Sequence, residues 1–202
     1  MGFTRQQFEV MQQRTGSRTG RSMAAREPAE TPPRKPVGRI LGVDPSLRGT
    51  GLGLIDQADT QPRPVHFEVV KCPAGWRRSR CLARIAEATR DAIQRHAPEV
   101  CVVEGLFYAQ NLQTALIMGE ARGACLAAVA GAGLDIFELA PRRVKQAIVG
   151  YGAAGKHAVA RMVQRLLALE TLPPDDAADA LALALVFAQE QKRLHLAAPR
   201  QV

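Results

Sequence analysis

Short unbroken apolar runs and longer periodic ones alternate along this chain, and the two kinds predict different elements. Ile40-Leu41-Gly42-Val43 lies between Arg39 and the Asp44-Pro45 step, so residues 38–44 read as a buried strand stopped at a carboxylate. Residues 51–55 return as a second strand, and Gly49, Gly51 and Gly53 surround the connecting turn. Glycines there serve hairpin geometry or present backbone N–H groups to phosphate, and the sequence leaves both readings open. Val65, Phe67 and Val69 alternate with His66 and Glu68, which predicts a half-buried strand over 65–70.

From residue 80 the period changes. Leu82, Ile85, Ala86, Ala92 and Ile93 share one side of a helix over 80–95, which ends before Pro98. Residues 100–103 form another apolar strand, and it too runs into an acid, Glu104. A loop with two adjacent aromatics follows, Phe107 and Tyr108, and closes on Asn111. Residues 112–130 form a long helix of small side chains. Gly119 and Gly123 share a face with Ala115 and Ala127, which suits close packing on the sheet or on a partner subunit. Residues 134–139 supply a fifth strand, and Pro141 opens a short helix to 149. A Gly-rich loop over 150–155 leads to a helix over 156–169, and Pro173-Pro174 introduces the last helix, 175–191. The sum is an α/β fold, a five-stranded mixed sheet flanked by helices.

The last helix carries the chemistry. Residues 180–188 include no polar side chain, and a helix apolar all round is buried. Asp176 and Asp179 lie three apart and share a face, and Asp179 aligns with Leu183 and Val186, so its carboxylate is expected to point inward. First-turn acids also complement a helix dipole, which accounts fully for Asp175 and competes for Asp176. A carboxylate ending an interior strand needs a cation, a basic side chain or N–H donors beside it. Four such acids together call for cations. Oxygen donors select Mg²⁺ or Mn²⁺, and a pair of ions about 3.5–4 Å apart would activate a water and stabilise the leaving 3′ oxygen of a phosphodiester. Lys156, after the mobile-looking loop, either offsets charge on the transferred phosphate or is a solvated lysine at a helix start.

Charge agrees with a polyanionic partner. The 202 residues carry a net charge of +8 with a pI of about 9.9, which favours nucleic acid over a membrane surface. No run reaches the roughly 18 uninterrupted apolar residues of a membrane span. Residues 1–36 carry seven Lys or Arg against three Glu and little periodicity. They are expected to be a disordered basic extension, and three readings stay open: a solvated or overlong start with Met23 as an alternative initiator, a nonspecific DNA-binding arm, or an Arg-rich transit peptide. Residues 37–191 are the expected domain, and 192–202 a short tail. Cys72, Cys81, Cys101 and Cys125 have no zinc-type spacing, and with no secretory signal the expected setting is the reduced cytoplasm.

Five blocks in order carry a resemblance: Gly42-Val43-Asp44-Pro45; Val103-Glu104-Gly105-Leu106-Phe107; Gly119-Glu120-Ala121-Arg122-Gly123; Val144-Lys145-Gln146 with Val149-Gly150; and Asp176-Ala177-Ala178-Asp179-Ala180-Leu181. Together they resemble the RuvC family of Holliday-junction resolvases from about Arg39 to Gln189. The resemblance implies a ribonuclease-H-like fold, a homodimer, and nicking of opposed strands at a four-way DNA junction with two Mg²⁺ ions (or Mn²⁺) per site. It assigns metal binding to Asp44, Glu104, Asp176 and Asp179. Phe107 would stack at the crossover, with Tyr108 and Asn111 beside it on the DNA, and Lys145 and Lys156 would lie at the scissile phosphate. It also implies a branch-migration motor of the RuvA and RuvB type as partner. The competing expectations are another ribonuclease-H-like nuclease acting on flaps or RNA–DNA hybrids, and a catalytically silent junction-binding protein.

Overall fold

The structure is a computed structural model and describes residues 37–57, 61–105, 112–192 and 200–202. The strands are β1 (Arg39–Asp44), β2 (Gly49–Asp56), β3 (Arg63–Lys71), β4 (Val100–Glu104), β5 (Asp135–Leu139) and β6 (Arg200–Gln201). The helices are α1 (Arg78–His96), α2 (Leu112–Gly131), α3 (Pro141–Val149), α4 (Lys156–Leu166) and α5 (Asp175–Lys192). They form one sheet in the order β3-β2-β1-β4-β5-β6. β1, β4 and β5 are parallel neighbours, while β2, β3 and β6 join antiparallel. The five expected strands are present, and a two-residue edge strand within the segment read as a tail pairs with Phe137 and Glu138.

Strand alternation divides the core. Ile40, Val102, Ile55 and Phe137 face α3, α4 and α5; Leu41, Val43, Leu52, Cys101 and Val103 face α1 and α2. Phe187 of α5 meets Phe137 with ring centroids 4.8 Å apart. The period of two also puts Gly42 and Asp44 on the α5 face. β4 runs parallel to β1 with Val43 opposite Val103, so Asp44 and Glu104 end neighbouring strands side by side on that same face.

The glycines that precede and line β2 belong to the strand rather than to its turn. Gly42 and Gly53 are cross-strand partners, and Gly51 lies opposite Asp44. A Cβ on Gly42 would fall inside the Ala180 carbonyl, one on Gly51 inside the Asp176 carbonyl, and one on Gly53 would lie 2.6 Å from the Leu181 nitrogen. Their role is to let the backbone of α5 rest directly on the sheet. The turn itself, 45–48, is held by Thr50, whose buried hydroxyl donates to the Ser46 carbonyl at 2.6 Å and accepts from the Ser46 N–H at 3.2 Å.

α4 stops at Leu166, short of the expected 169. The chain turns through Leu167 and Ala168, which has φ +50°. By length and composition α2 is the one described helix apolar enough to cross a membrane. It carries two charges mid-helix, and both are paired to other elements: Glu120 with Arg78 of α1, and Arg122 with Glu138 of β5. Its sheet side is Ala121, Cys125, Ala128 and Val129.

Gly42→Ala should cost about 3 kcal/mol or more, since neither the helix backbone nor the strand can yield as a side chain would. Chemical denaturation of this variant against wild type measures it.

Candidate active site

Two strands and one helix deliver the four acids. β1 and β4 end on Asp44 and Glu104, both partly shielded from water. α5 begins at Asp175, which is exposed. One residue on, the close seat over Gly51 fixes the Asp176 backbone, and Asp179 follows one turn later on the same side. A Cβ on Gly49 would lie 2.7 Å from Asp176 Oδ2, so the start of β2 also abuts this carboxylate.

Burial and mutual repulsion act on Asp44, Glu104 and Asp179. Burial, then the charges of Glu104 and Asp176, push Asp44 up to about 7 against the opposing pull of Lys156. A protonated Asp44 donates a hydrogen bond to Glu104, whose own carboxyl is raised by burial and by Asp179. Burial and Asp44 push Asp179 up to about 6. Carboxylates crowded this way hold protons unless positive charge compensates them.

Two lysines compensate in part. Lys156 opens α4, and its Nζ donates to Asp176 Oδ1 at 3.2 Å and lies 4.0 Å from Asp179 Oδ2. Burial disfavours this ammonium, but the bond to Asp176 and the charges of Asp176, Asp179 and Asp44 outweigh that and raise its pKa. Lys156 is thus exposed at the start of its helix and also ion-paired to the acids. Lys145 of α3 is close enough for its charge to act on Glu104 and Asp179. α3 ends at Gly150, with φ +97°, where a side chain would be strained. Phe107, Tyr108 and Asn111 lie outside the described residues.

The donor set is oxygen only, which suits a hard divalent cation. Among the described residues no three Asp, Glu, His or Cys side chains already stand as a finished cation cage.

One residue of this region had no role assigned from sequence. Arg122 is buried on α2, donates from Nη1 to the Glu104 carbonyl oxygen, and pairs through Nη2 with Glu138 Oε2 at 2.5 Å. It ties α2 to the ends of β4 and β5 and fixes the backbone from which Glu104 projects. An arginine in an otherwise small-residue helix was the available signal.

With this geometry in hand, the comparisons with known proteins are decisive. The profile of the family described as "Crossover junction endodeoxyribonuclease RuvC" matches residues 40–187. The chain belongs to the RuvC family. It is 46% identical to the RuvC of Moorella thermoacetica over 150 residues, 74% of this chain and 90% of that one. It is 44% identical to the RuvC of Alkalilimnicola ehrlichii over 147 residues, 73% and 88% of the two chains. Among solved structures, Thermus thermophilus RuvC in complex with Holliday junction substrate superposes with a TM-score of 0.74 at 32% identity, covering 82% of this chain and 99% of that one. The yeast mitochondrial Holliday junction resolvase Ydc2 shares the fold, with a TM-score of 0.57 at 15% identity over 79% of this chain and 81% of that one. The RuvC fold is thus the ribonuclease-H-like α/β sheet expected from sequence, and RuvC proteins are crossover junction endodeoxyribonucleases.

The raised carboxyls have a measurable consequence. Asp44 and Asp179 hold protons in the folded chain that they release on unfolding, because their folded values of about 7 and 6 exceed the ordinary 3.8. Their contribution to stability is complete below about pH 4 and is lost as pH rises through 6 and 7. Chelator-treated protein should melt at a lower temperature at pH 8 than at pH 5, and Asp44→Asn should flatten that difference. Arg122→Met leaves a part-buried carbonyl and a part-buried carboxylate without their partner and should cost about 1–3 kcal/mol, read by urea denaturation.

Proposed function

We propose that this chain resolves four-way DNA junctions by paired nicks on opposed strands. The observation that carries the reading is the meeting of Asp44, Glu104, Asp176 and Asp179 with Lys145 and Lys156, in a chain matched to the RuvC family over 40–187. The four acids are the residues that would hold two divalent cations, Mg²⁺ first and Mn²⁺ next; bound there, such a pair supplies an activated water and charge stabilisation at the leaving 3′ oxygen.

The chain's own groups do the rest. Lys156 shifts its ammonium from Asp176 to the scissile phosphate, where it offsets the charge of the pentacovalent state. Lys145 holds a neighbouring phosphate oxygen. Arg122 keeps the Glu104 backbone in place as the residues beyond it engage DNA. Among those residues Phe107 stacks on an unpaired base at the crossover, with Tyr108 and Asn111 alongside. A branch-migration motor of the RuvA and RuvB type would deliver the junction, in the cytoplasm.

Two opposed nicks need two sites, and the reading therefore includes a homodimer. Its support is the outer face of α2. Cβ atoms on Gly119 and Gly123 would meet nothing within 4 Å, and Leu112 and Leu116 on that side are 75% and 59% exposed. The small residues are not there to fit the sheet, so a second copy is the natural cover.

Asp44→Asn and Asp179→Asn should bind a four-way junction and fail to cut it, with rates down by about 10³-fold or more; cleavage of either at the wild-type rate would overturn the site. The assay sets a mobile junction beside linear duplex, a flap and an RNA–DNA hybrid, with Mg²⁺ and with chelator. Cutting of the hybrid or flap in place of the junction would keep the acids and discard the substrate. Phe107→Ala should bind nearly as wild type and nick poorly. Gly123→Leu should sediment near 21.8 kDa where the wild type sediments near twice that mass, and it should lose paired nicking.

A further inference from the structure

Positive charge in this domain is concentrated on one element. Residues 71–90 carry six Lys or Arg against one Glu, while the rest of 37–202 carries fourteen against fifteen acids. The basic group comprises Lys71 at the end of β3, Arg77 and Arg78 at the start of α1, and Arg80, Arg84 and Arg90 along it. Arg78 is paired to Glu120 and Arg84 to Glu87. Lys71, Arg77, Arg80 and Arg90 are exposed, and among the described residues no acid forms an ion pair with them. The first turn of α1 has no acidic residue, so its dipole adds to the same field.

The surface is held in place. Arg80 lies over the Trp76 ring, 3.9 Å from its centroid, which presents the edge of the guanidinium outward. The turn carrying Trp76 is tied down by Arg48, whose Nη1 donates to the Pro73 carbonyl at 2.6 Å and the Trp76 carbonyl at 3.3 Å. A shallow groove runs over Trp76, Arg80, Ala83, Arg84, Glu87 and Arg90. Arg77 to Arg90 spans about 20 Å of helix, long enough to face several phosphates of one strand, spaced about 3.4 Å along the duplex axis. Its Arg77 end lies at the same end of the sheet as the four acids: Arg48 belongs to the turn after Asp44, and Lys71 pairs with Gly49, which abuts Asp176; from there the line runs along the helix to Arg90.

We propose that the outer face of α1, with Arg77, Arg80 and Arg90, is a second DNA-contact surface that grips the sugar-phosphate backbone of one duplex arm of the junction. The proposal rests on the junction reading above. Phosphate is the matching partner because the exposed charges along this face are mainly guanidiniums, with one stacked aromatic, which supply charge and register but no base readout. One surface per subunit would hold two arms on either side of the crossover.

The test is junction binding by the full chain in chelator, with Kd measured across a salt series for wild type, Arg77→Gln/Arg80→Gln, and the charge-matched Arg63→Gln/Arg95→Gln at the far end of the sheet and of α1. Melting temperatures confirm that each variant is folded. Each phosphate contact contributes about 0.9 to the slope of log K against log salt. The α1 variant should lose about two units of slope and bind at least tenfold more weakly near 0.1 M salt, and the far variant should keep the wild-type slope. Equal losses in both variants would reduce the effect to net charge and overturn the surface; no loss in either would overturn it as well. Wild-type chain that binds no junction at all would sink the junction reading and this surface together, whereas wild-type binding indifferent to Arg77 and Arg80 would sink the surface alone.

Discussion

The contact on which the rest depends is between the backbone of α5 and the glycine face of β1 and β2. A helix usually stands off a sheet by the thickness of the side chains that fill the gap between them. Here Gly42, Gly51 and Gly53 remove that layer beneath Asp176, Ala180 and Leu181. The helix N-terminus therefore arrives level with the ends of β1 and β4, and a two-carbon aspartate side chain is long enough to share space with Asp44 and Glu104. With ordinary side chains at those three positions the four acids would all be present and would not meet.

That closeness creates an electrostatic debt which organises everything around it. Asp44 and Asp179 are pushed up to about 7 and 6, and the local remedy is Lys156 on Asp176 and Asp179, with Lys145 near by. The proposed function gives these same groups the phosphodiester and its cations. On that proposal stability and activity pull in opposite directions at this point. The apolar body of α5, buried from Ala177 to Ala188, and the Arg122 tie to Glu104 and Glu138 hold the strained arrangement.

Much of this was legible in the sequence because it follows local rules. The apolar runs at 40–43 and 100–103, the alternation in 65–70 and the caps at Pro141 and Pro173-Pro174 are all local signals, and each marks its element to within a few residues. The acids at strand ends and at the head of an all-apolar helix were readable for the same reason. Glycine was not, because its meaning lies in what approaches it. Gly49, Gly51 and Gly53 read as turn residues, yet β2 begins at Gly49 and the glycines answer to a helix more than a hundred residues later. Gly119 and Gly123 read as fitting either a sheet or a subunit, and only the fold turns them outward. Arg122 was visible as a residue and silent as a role, since both of its acceptors come from other elements. The strand at Arg200–Gln201 is two residues long, too short to leave a periodic signal.

The claim at the centre is that this seat of α5 on the sheet makes one divalent-cation site from four carboxylates. Diffraction at the manganese edge, from crystals of the chain grown with Mn²⁺ and an uncleaved junction, measures it directly. The account predicts two anomalous peaks about 4 Å apart, bounded by Asp44, Glu104, Asp176 and Asp179, with Lys156 turned toward phosphate. Manganese ligated elsewhere, or the four acids free of metal while DNA is bound, would contradict it.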